Sequence, residues 1–559
     1  MKEDIHAAII NALAALNIEG IDFVVDQPTD KNTEADLFSN VAMVAAGILG
    51  TAPRTVAGQL CAALTLPAMV TNVKVAGPGF LNFYLSREYY TNELQAVVAA
   101  DADWGKNQSR QSQLVLVEYT SPNLFKPLHV GNLVGNIIGE SLTRLFEYNG
   151  ATVKRLNYPS DIGLTVAKAV WGLAKRGGDG EHIDELGEAY RDGNLAYDTD
   201  EVAKAEIVVV NQALYAGNDA DLMALRAKGI ATSKRQLDAI CAQLGTVFDA
   251  VIFESDAAPI GVETVKRSVG TVFRESEGAV VYEGEKVGLH TRVFLNSQGL
   301  PTYEAKDLGN FVHKQALFPD WTTSIIVTGN EQTEYFKVLY AAIRELFPET
   351  VDRSLEHIPT GFLTLTTGKM SSRKGNVLTG ESLLAEMEEA ARERASEART
   401  DDLEELTEQV AVAALKYQIL RQAVGSNIVF DKERALSFEG DSGPYLQYTH
   451  ARICSVLEKA AEAGVEASCE FPSPTAYAVE KLVTLFPSVI ATALYERAPH
   501  KVAGYLTEVA SAFNTFYANE KIADANDEFA PYKVAVAEAV KLTLQNGLWV
   551  LGIQAPERM

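Results

Sequence analysis

Two short runs hold side chains whose types and spacing suit chemistry on phosphate. The first is His129-Val130-Gly131-Asn132, and the second is Lys369-Met370-Ser371-Ser372-Arg373-Lys374-Gly375-Asn376. In the first, two polar side chains flank a glycine that lets backbone approach a ligand closely. Where such a run opens a helix, free N–H groups and the positive end of the dipole favour an anion. In the second, three cations sit in a loop rich in Ser and Gly, a candidate clamp for a polyphosphate. Each run alone has a plainer reading: a helix start with an incidental histidine, and a solvated surface loop.

The elements around the first run favour the chemical reading. Leu114–Val117 is an apolar run short enough for a buried strand. After the motif, Leu133, Ile137, Ile138, Leu142, Leu145 and Phe146 share one helical face, with Gly150 just past its end. Strand, turn and helix in that order form the first unit of a nucleotide-binding α/β fold. From 112 to about 375, strand and helix patterns alternate, as in a parallel sheet, with strands expected at Thr152–Asn157, Ala279–Tyr282, Leu289–Phe294 and Ser324–Val327. Residues 171–245 are polar and mostly helical, interrupted by Gly177-Gly178-Asp179-Gly180, and read as an insertion.

The flanks read differently. Residues 1–86 resemble a small α+β domain, with helices near 4–16 and 34–48 and a Gly77-Pro78-Gly79 turn between Asn72–Val75 and Phe80–Leu85. About 86–111 is helical and then polar, a linker. Residues 376–409 form a connecting segment, rich in Glu and Ala from 380, and 410–559 is all helical, broken at Pro472 and Pro474.

Bulk properties narrow the class. A net charge of −25 argues against a broad basic face on nucleic acid and confines any such contact to local patches. No unbroken apolar run reaches the roughly 18–20 residues of a membrane span. The opening MKEDIHAAIINALAAL carries Glu3, Asp4 and Asn11, which suits an amphipathic helix better than a signal peptide. Cys61, Cys241, Cys454 and Cys469 are scattered without a Cys-x-x-Cys pair, so neither disulfides nor a structural metal is expected. A cytoplasmic protein without a membrane partner follows as the expectation.

Together and in this order, the two runs resemble the paired signature motifs of class I aminoacyl-tRNA synthetases. Further stretches narrow the resemblance to arginyl-tRNA synthetases of the bacterial type. These are Ser121-Pro122-Asn123 ahead of Lys126-Pro127-Leu128-His129, the Tyr303-to-Asp307 element, and Phe438-Glu439-Gly440 with Gly443-Pro444-Tyr445-Leu446-Gln447-Tyr448. Arg497-Ala498-Pro499-His500, Phe513-Asn514-Thr515-Phe516-Tyr517, Asp36–Ala42 and Gly77–Phe83 extend it over nearly the whole chain. The resemblance implies a Rossmann-like catalytic domain with insertions, a small α+β N-terminal domain that contacts tRNA, and an all-α anticodon-binding bundle. It implies an arginine–tRNA ligase that joins arginine to ATP, as arginyl-adenylate and pyrophosphate, and then to the terminal adenosine 2′-OH of tRNA(Arg). It further implies ATP with Mg2+, adenylate formation that needs bound tRNA, and a monomer.

Residue roles follow from the same resemblance. His129, Gly131, Asn132, Gly329, Lys369, Met370, Ser371 and Lys374 fall at ATP, with His129, Asn132, Lys126 and Lys369 as catalytic groups. Ser121, Asn123, Glu254, Tyr303, Asp307 and Gln332 fall at arginine, whose planar guanidinium matches carboxylates two bonds at a time. Tyr448, Arg452, Arg497 and Tyr517 fall at tRNA. Three departures stand out. Asn132 replaces the usual second histidine, and Ser372 replaces the second lysine of the later motif, with Lys126 or Lys374 open as the compensating cation. Thr165 stands where a glutamine is usual, so no substrate contact is carried onto it. The competing readings are a class I enzyme for cysteine or lysine, and a non-catalytic RNA-binding relative.

Overall fold

In the computed structural model, residues 1–28, 33–366, 378–394 and 402–559 are described. The later signature run, with Lys369, Met370, Ser371 and Lys374, lies outside them. The chain divides into two compact units. One holds Met1–Asp101, Leu457–Leu485 and Thr515–Val540, and the other holds Ala102–Val456, Phe486–Asn514 and Lys541–Met559.

In the first unit, α1 (Lys2–Ala15), α2 (Val41–Leu49) and α3 (Pro53–Ala63) pack on one antiparallel sheet. Its strands, β1 (Val25–Asp26), β2 (Leu37–Ser39), β3 (Val70–Ala76) and β4 (Phe80–Leu85), run in the order β1-β2-β4-β3. The expected Gly-Pro-Gly turn closes the β3/β4 hairpin, where Ala76 pairs with Phe80. The expected helix at 34–48 begins later, at Val41, because Leu37–Ser39 pairs with β4 instead. Helix α4 (Arg87–Ala100) follows, capped by the Ser86 hydroxyl. Arg87 donates to the buried Glu480 carboxylate at 2.7 Å, and Tyr532 donates to the same oxygen.

The second unit is built on a five-stranded, all-parallel sheet. Its strands are β5 (Leu114–Glu118), β6 (Thr152–Asn157), β7 (Ala250–Val251), β11 (Thr323–Gly329) and β12 (Ser354–Thr360), in the order β12-β11-β5-β6-β7. Strand order reverses at β5/β11, and ligands bind in the crevice outside the carboxyl ends of such strands. Leu-Val-Leu-Val in β5 is apolar throughout because both sheet faces are covered.

Helix α5 (Val130–Tyr148) follows β5, and every residue expected on its apolar face is buried. Asn136, Glu140, Ser141 and Thr143 are buried too, so the helix is covered almost all round. Those polar groups are satisfied: Glu140, for example, accepts from Arg144, Arg155 and the Tyr119 hydroxyl.

The expected insertion is four helices, α6 (Leu164–Arg176), α7 (Ile183–Thr199), α8 (Glu201–Ala216) and α9 (Ala220–Gln243), sharing an apolar core. Next comes α10 (Glu254–Arg267). A small antiparallel sheet of β8 (Arg274–Ser276), β9 (Ala279–Tyr282) and β10 (Arg292–Leu295) leads into α11 (Tyr303–Leu317). Helix α12 (Thr333–Leu346) joins β11 to β12. Beyond the sheet, β13 (Leu363–Leu365) pairs in parallel with β14 (Ile428–Phe430). That strand interrupts a region expected to be wholly helical. Between the two lie α13 (Gly380–Arg394) and α14 (Leu403–Leu420).

One stretch, Ala478–Tyr495, has the length and mean hydropathy (1.3) of a membrane span, where none was expected. It consists of two helices, Ala478–Val483 and Phe486–Tyr495, and includes the ion-paired Glu480.

Candidate functional site

The chain leaves β5 through a loop held in an unusual shape. Thr120 and Phe125 both adopt positive φ, +68° and +66°. Non-glycine residues are disfavoured there, a β-branched one most of all, and such strain persists only where surroundings fix it. The Asn136 amide donates to Thr120 Oγ1 at 3.0 Å, and the Phe125 N–H donates to Ser233 Oγ at 2.9 Å. Between these fixed points lie Ser121, Pro122 and Asn123.

The loop ends at His129, which caps α5. Its Nδ1 accepts from the Gly131 N–H at 3.0 Å. That bond assigns the ring proton to Nε2, which is left as an outward donor. Burial, and then the nearby Lys126 charge, lowers the His129 pKa, so the ring is neutral at neutral pH. The Asn132 amide donates back to the Thr120 carbonyl at 3.3 Å. Lys126 is half-buried with its Nζ 5.3 Å over the Tyr190 ring of α7, and among the described residues it has no carboxylate partner. Chain emerging from the later signature run returns to this place: Gly380 N–H donates to the Leu128 carbonyl at 2.7 Å, and Thr379 bridges to His129. A Cβ on Gly380 would overlap the Leu133 side chain.

Beside the loop, in the β5/β11 crevice, lies a cavity of about 450 Å³. All six residues expected at arginine line it: Ser121, Asn123, Glu254, Tyr303, Asp307 and Gln332. Glu118, Tyr158, Ser160, Arg292, Glu331 and Tyr335 also line it, and sequence reasoning passed them over. A carboxylate ending the Leu-Val-Leu-Val strand was the available signal for Glu118. Nothing local marks Tyr158 or Tyr335. Thr165 does not line the cavity.

The acids are not equivalent. Glu118 accepts from Asn310 and Lys314, each at 2.9 Å. Glu254 is ion-paired with the buried Lys306 and accepts from Ser160 Oγ at 2.8 Å. Burial raises the Glu254 carboxyl, and Lys306 offsets part of that rise. Asp307 receives only the Tyr335 hydroxyl, and among the described residues no cation stands within ion-pair distance. Burial pushes its pKa up to about 7, partly countered by Tyr335, with Glu118 and Glu254 adding to the rise. An acid without a cation, in a cavity lined by other acids, is electrostatically prepared for a positive ligand. Tyr303 opens α11 one turn before Asp307 and is 57% exposed, its ring 4.5 Å from the Lys306 ammonium. The hydroxyls of Ser121 and Tyr158 are buried with no hydrogen-bond partner among the described residues.

Two helices carry these acids, Glu254 at the start of α10 and Asp307 on α11. They meet backbone to backbone through reciprocal glycines. A Cβ on Gly261 would overlap the Ala305 carbonyl oxygen, and one on Gly309 would overlap that of Ala257.

Of the residues expected at tRNA, Tyr448 and Tyr517 are 38% and 41% exposed. The Arg452 guanidinium lies 4.8 Å over the Tyr448 ring and donates to Asn514. Arg497 departs from expectation. Its Nε and Nη2 each lie 3.0 Å from Glu356, and the guanidinium covers Phe146 at 4.7 Å. Its planar fork is thus occupied within the protein, and Arg497 is an internal tie. Among the described residues, no group of three or more His, Cys, Asp or Glu is placed to hold a metal ion.

Comparison with known proteins gives three family matches. "tRNA synthetases class I (R), catalytic domain" covers residues 93–432, "DALR anticodon binding domain" covers 446–559, and "Arginyl tRNA synthetase N terminal domain" covers 1–85. The arginine–tRNA ligase of Halorubrum lacusprofundi is 30% identical over all of this chain and 99% of its own. That of Levilactobacillus brevis is 29% identical over the full length of both. Among solved structures, the Thermus thermophilus arginyl-tRNA synthetase superposes over the whole of both chains with a TM-score of 0.81 at 26% identity.

Proposed function

The chain belongs to the class I arginyl-tRNA synthetases, and from that premise we propose how its residues divide the reaction. It is an ATP-dependent arginine–tRNA ligase with a Rossmann catalytic domain, a small N-terminal domain and a helical anticodon-binding region. In the proposed division, residues 1–86 and 410–559 meet tRNA, and 112–375 carries out the chemistry, with the insertion around 171–245 and the segment 376–409 supporting it.

Arginine occupies the β5/β11 cavity. Its guanidinium faces Asp307 and Glu254 with Tyr303 and Gln332 alongside, and its α-groups face Ser121 and Asn123. The observation that carries this reading is Asp307, a raised carboxyl with no cationic partner among the described residues. ATP lies across the N-terminus of α5, with His129 Nε2–H, the Gly131 backbone and Asn132 toward phosphates and ribose, and Gly329 at the end of β11. Lys369, Met370, Ser371 and Lys374, which lie outside the described residues, are the further groups proposed at ATP. Mg2+ arrives with ATP as part of the substrate.

The arginine carboxylate attacks the α-phosphate, forming a P–O bond as the α–β bridge breaks and pyrophosphate leaves. The protein's part is positioning and neutralising charge that develops on phosphate oxygens. Lys126 is the proposed compensating cation, supported by its place beside His129 with no acidic partner among the described residues. The terminal adenosine 2′-OH then attacks the arginyl carbonyl of the adenylate, forming the ester C–O bond as the mixed-anhydride C–O bond breaks and AMP leaves. Tyr448, Arg452 and Tyr517 are the proposed tRNA contacts, and the protein acts as a cytoplasmic monomer without a membrane partner.

The test is arginine-dependent ATP–pyrophosphate exchange with tRNA(Arg) present. Asp307→Asn removes a charge-assisted pair and should raise the arginine KM about a hundredfold, near 3 kcal/mol. An unchanged KM would remove Asp307 from the arginine site. In the same assay Lys126→Ala should depress turnover steeply and Lys374→Ala little, whereas the reverse would give the role to Lys374.

A further inference from the structure

Helix α9 belongs to the insertion and contributes nothing to the lining of the arginine cavity, yet one of its faces touches each part of the site. At Arg226, Nε donates to the Asp161 carbonyl at 2.9 Å and Nη2 pairs with its carboxylate. That carboxylate accepts from the Ser255 N–H at 2.9 Å and the Ser255 hydroxyl at 2.7 Å, which fixes the first turn of α10 where Glu254 stands. One turn on, at Gly229, a Cβ would overlap the Phe125 ring, so the loop packs directly on helix backbone. A further turn on, Ser233 accepts the Phe125 N–H and holds one of the two strained loop residues. The other, Thr120, is held by Asn136, whose Oδ1 accepts at 3.0 Å from Thr246, just beyond α9.

Positions 226, 229 and 233 recur at helical spacing and share one face. Gln236, one turn further, and Gln243, two turns beyond that, donate at 2.6 Å to Glu381 and Glu388 of α13, respectively. That helix starts at Gly380, tied to Leu128.

We propose that α9 is the positioning spine of the active site, with Arg226 setting the arginine acid Glu254 and Ser233 setting the turn that presents Lys126 and His129 to ATP. Neither residue touches substrate. Arg226 acts through Asp161 and Ser255, and Ser233 through the Phe125 backbone. The inference rests on the proposed arginine and ATP sites, and it assigns separate substrates to two residues seven positions apart on one helix.

That separation provides the test. Steady-state exchange on the full chain with tRNA(Arg) should show an arginine KM raised about tenfold in Arg226→Gln, with the ATP KM within about twofold. Ser233→Ala should lower kcat or raise the ATP KM about tenfold and leave the arginine KM within about twofold. Arg226→Lys and Ser233→Thr keep the donor and the acceptor and should recover most of each loss. Thermal unfolding identifies any variant that fails to fold, and for such a variant the conservative replacement is read instead. Equal loss on both substrates, or no change from either residue, overturns the proposal. A wild-type chain inactive with arginine overturns the function beneath it and the proposal with it, so the two failures are distinguishable.

Discussion

At the scale of single residues, Asp307 carries the argument. Its carboxyl is raised to about 7 by burial, against an unfolded value in the ordinary carboxylate range. A carboxyl raised by folding adds stability that is fully present below its unfolded pKa and lost as pH rises through the folded one. The arginine-free protein therefore loses stability as pH rises from roughly 4 to about 7, and arginine, bound, as proposed, as the missing cation, should restore it. Thermal unfolding should show a larger upward shift on adding arginine at pH 8 than at pH 6. By the same linkage, arginine affinity should weaken about tenfold from pH 8 to pH 6, because the proton must leave first. Equal shifts at the two pH values would contradict this. Asp307 entered as a candidate through the resemblance carried by the Tyr303-to-Asp307 element. That no cation pairs with it among the described residues was not legible in the sequence, because Lys306 and Lys314 come to Glu254 and Glu118 only when α11 packs against β5 and α10.

At the scale of elements, the site depends on how closely α10 and α11 approach. Gly261 and Gly309 let their backbones touch. Gly261→Ala should force the helices apart, at a stability cost of about 1–3 kcal/mol by thermal unfolding. The arginine KM should rise, because Glu254 and Asp307 separate. A variant with unchanged stability and KM would show the packing to be tolerant. Strand–turn–helix order around His129 was legible because apolar periodicity and the glycine mark it locally. The part taken by α9 was not, because Ser233 meets Phe125 across 108 residues and Arg226 meets Asp161 across 65. Nor was the tie of Arg497, which the resemblance placed at tRNA, to Glu356, 141 residues away.

At the scale of the whole molecule, the net charge of −25 makes tRNA binding a matter of local patches rather than bulk attraction. The order of motifs along 559 residues already pointed to a synthetase, and the family matches span the same length. Ala478–Tyr495 shows the limit of composition alone. A span-like hydropathy there belongs to two short helices, Ala478–Val483 and Phe486–Tyr495, and the first carries the ion-paired Glu480. The most direct measurement is ATP–pyrophosphate exchange by the wild-type chain across all twenty amino acids, with and without tRNA(Arg). The account predicts exchange with arginine alone among them, and only when tRNA is present. Exchange driven by lysine or cysteine, or none with arginine and tRNA together, would contradict it.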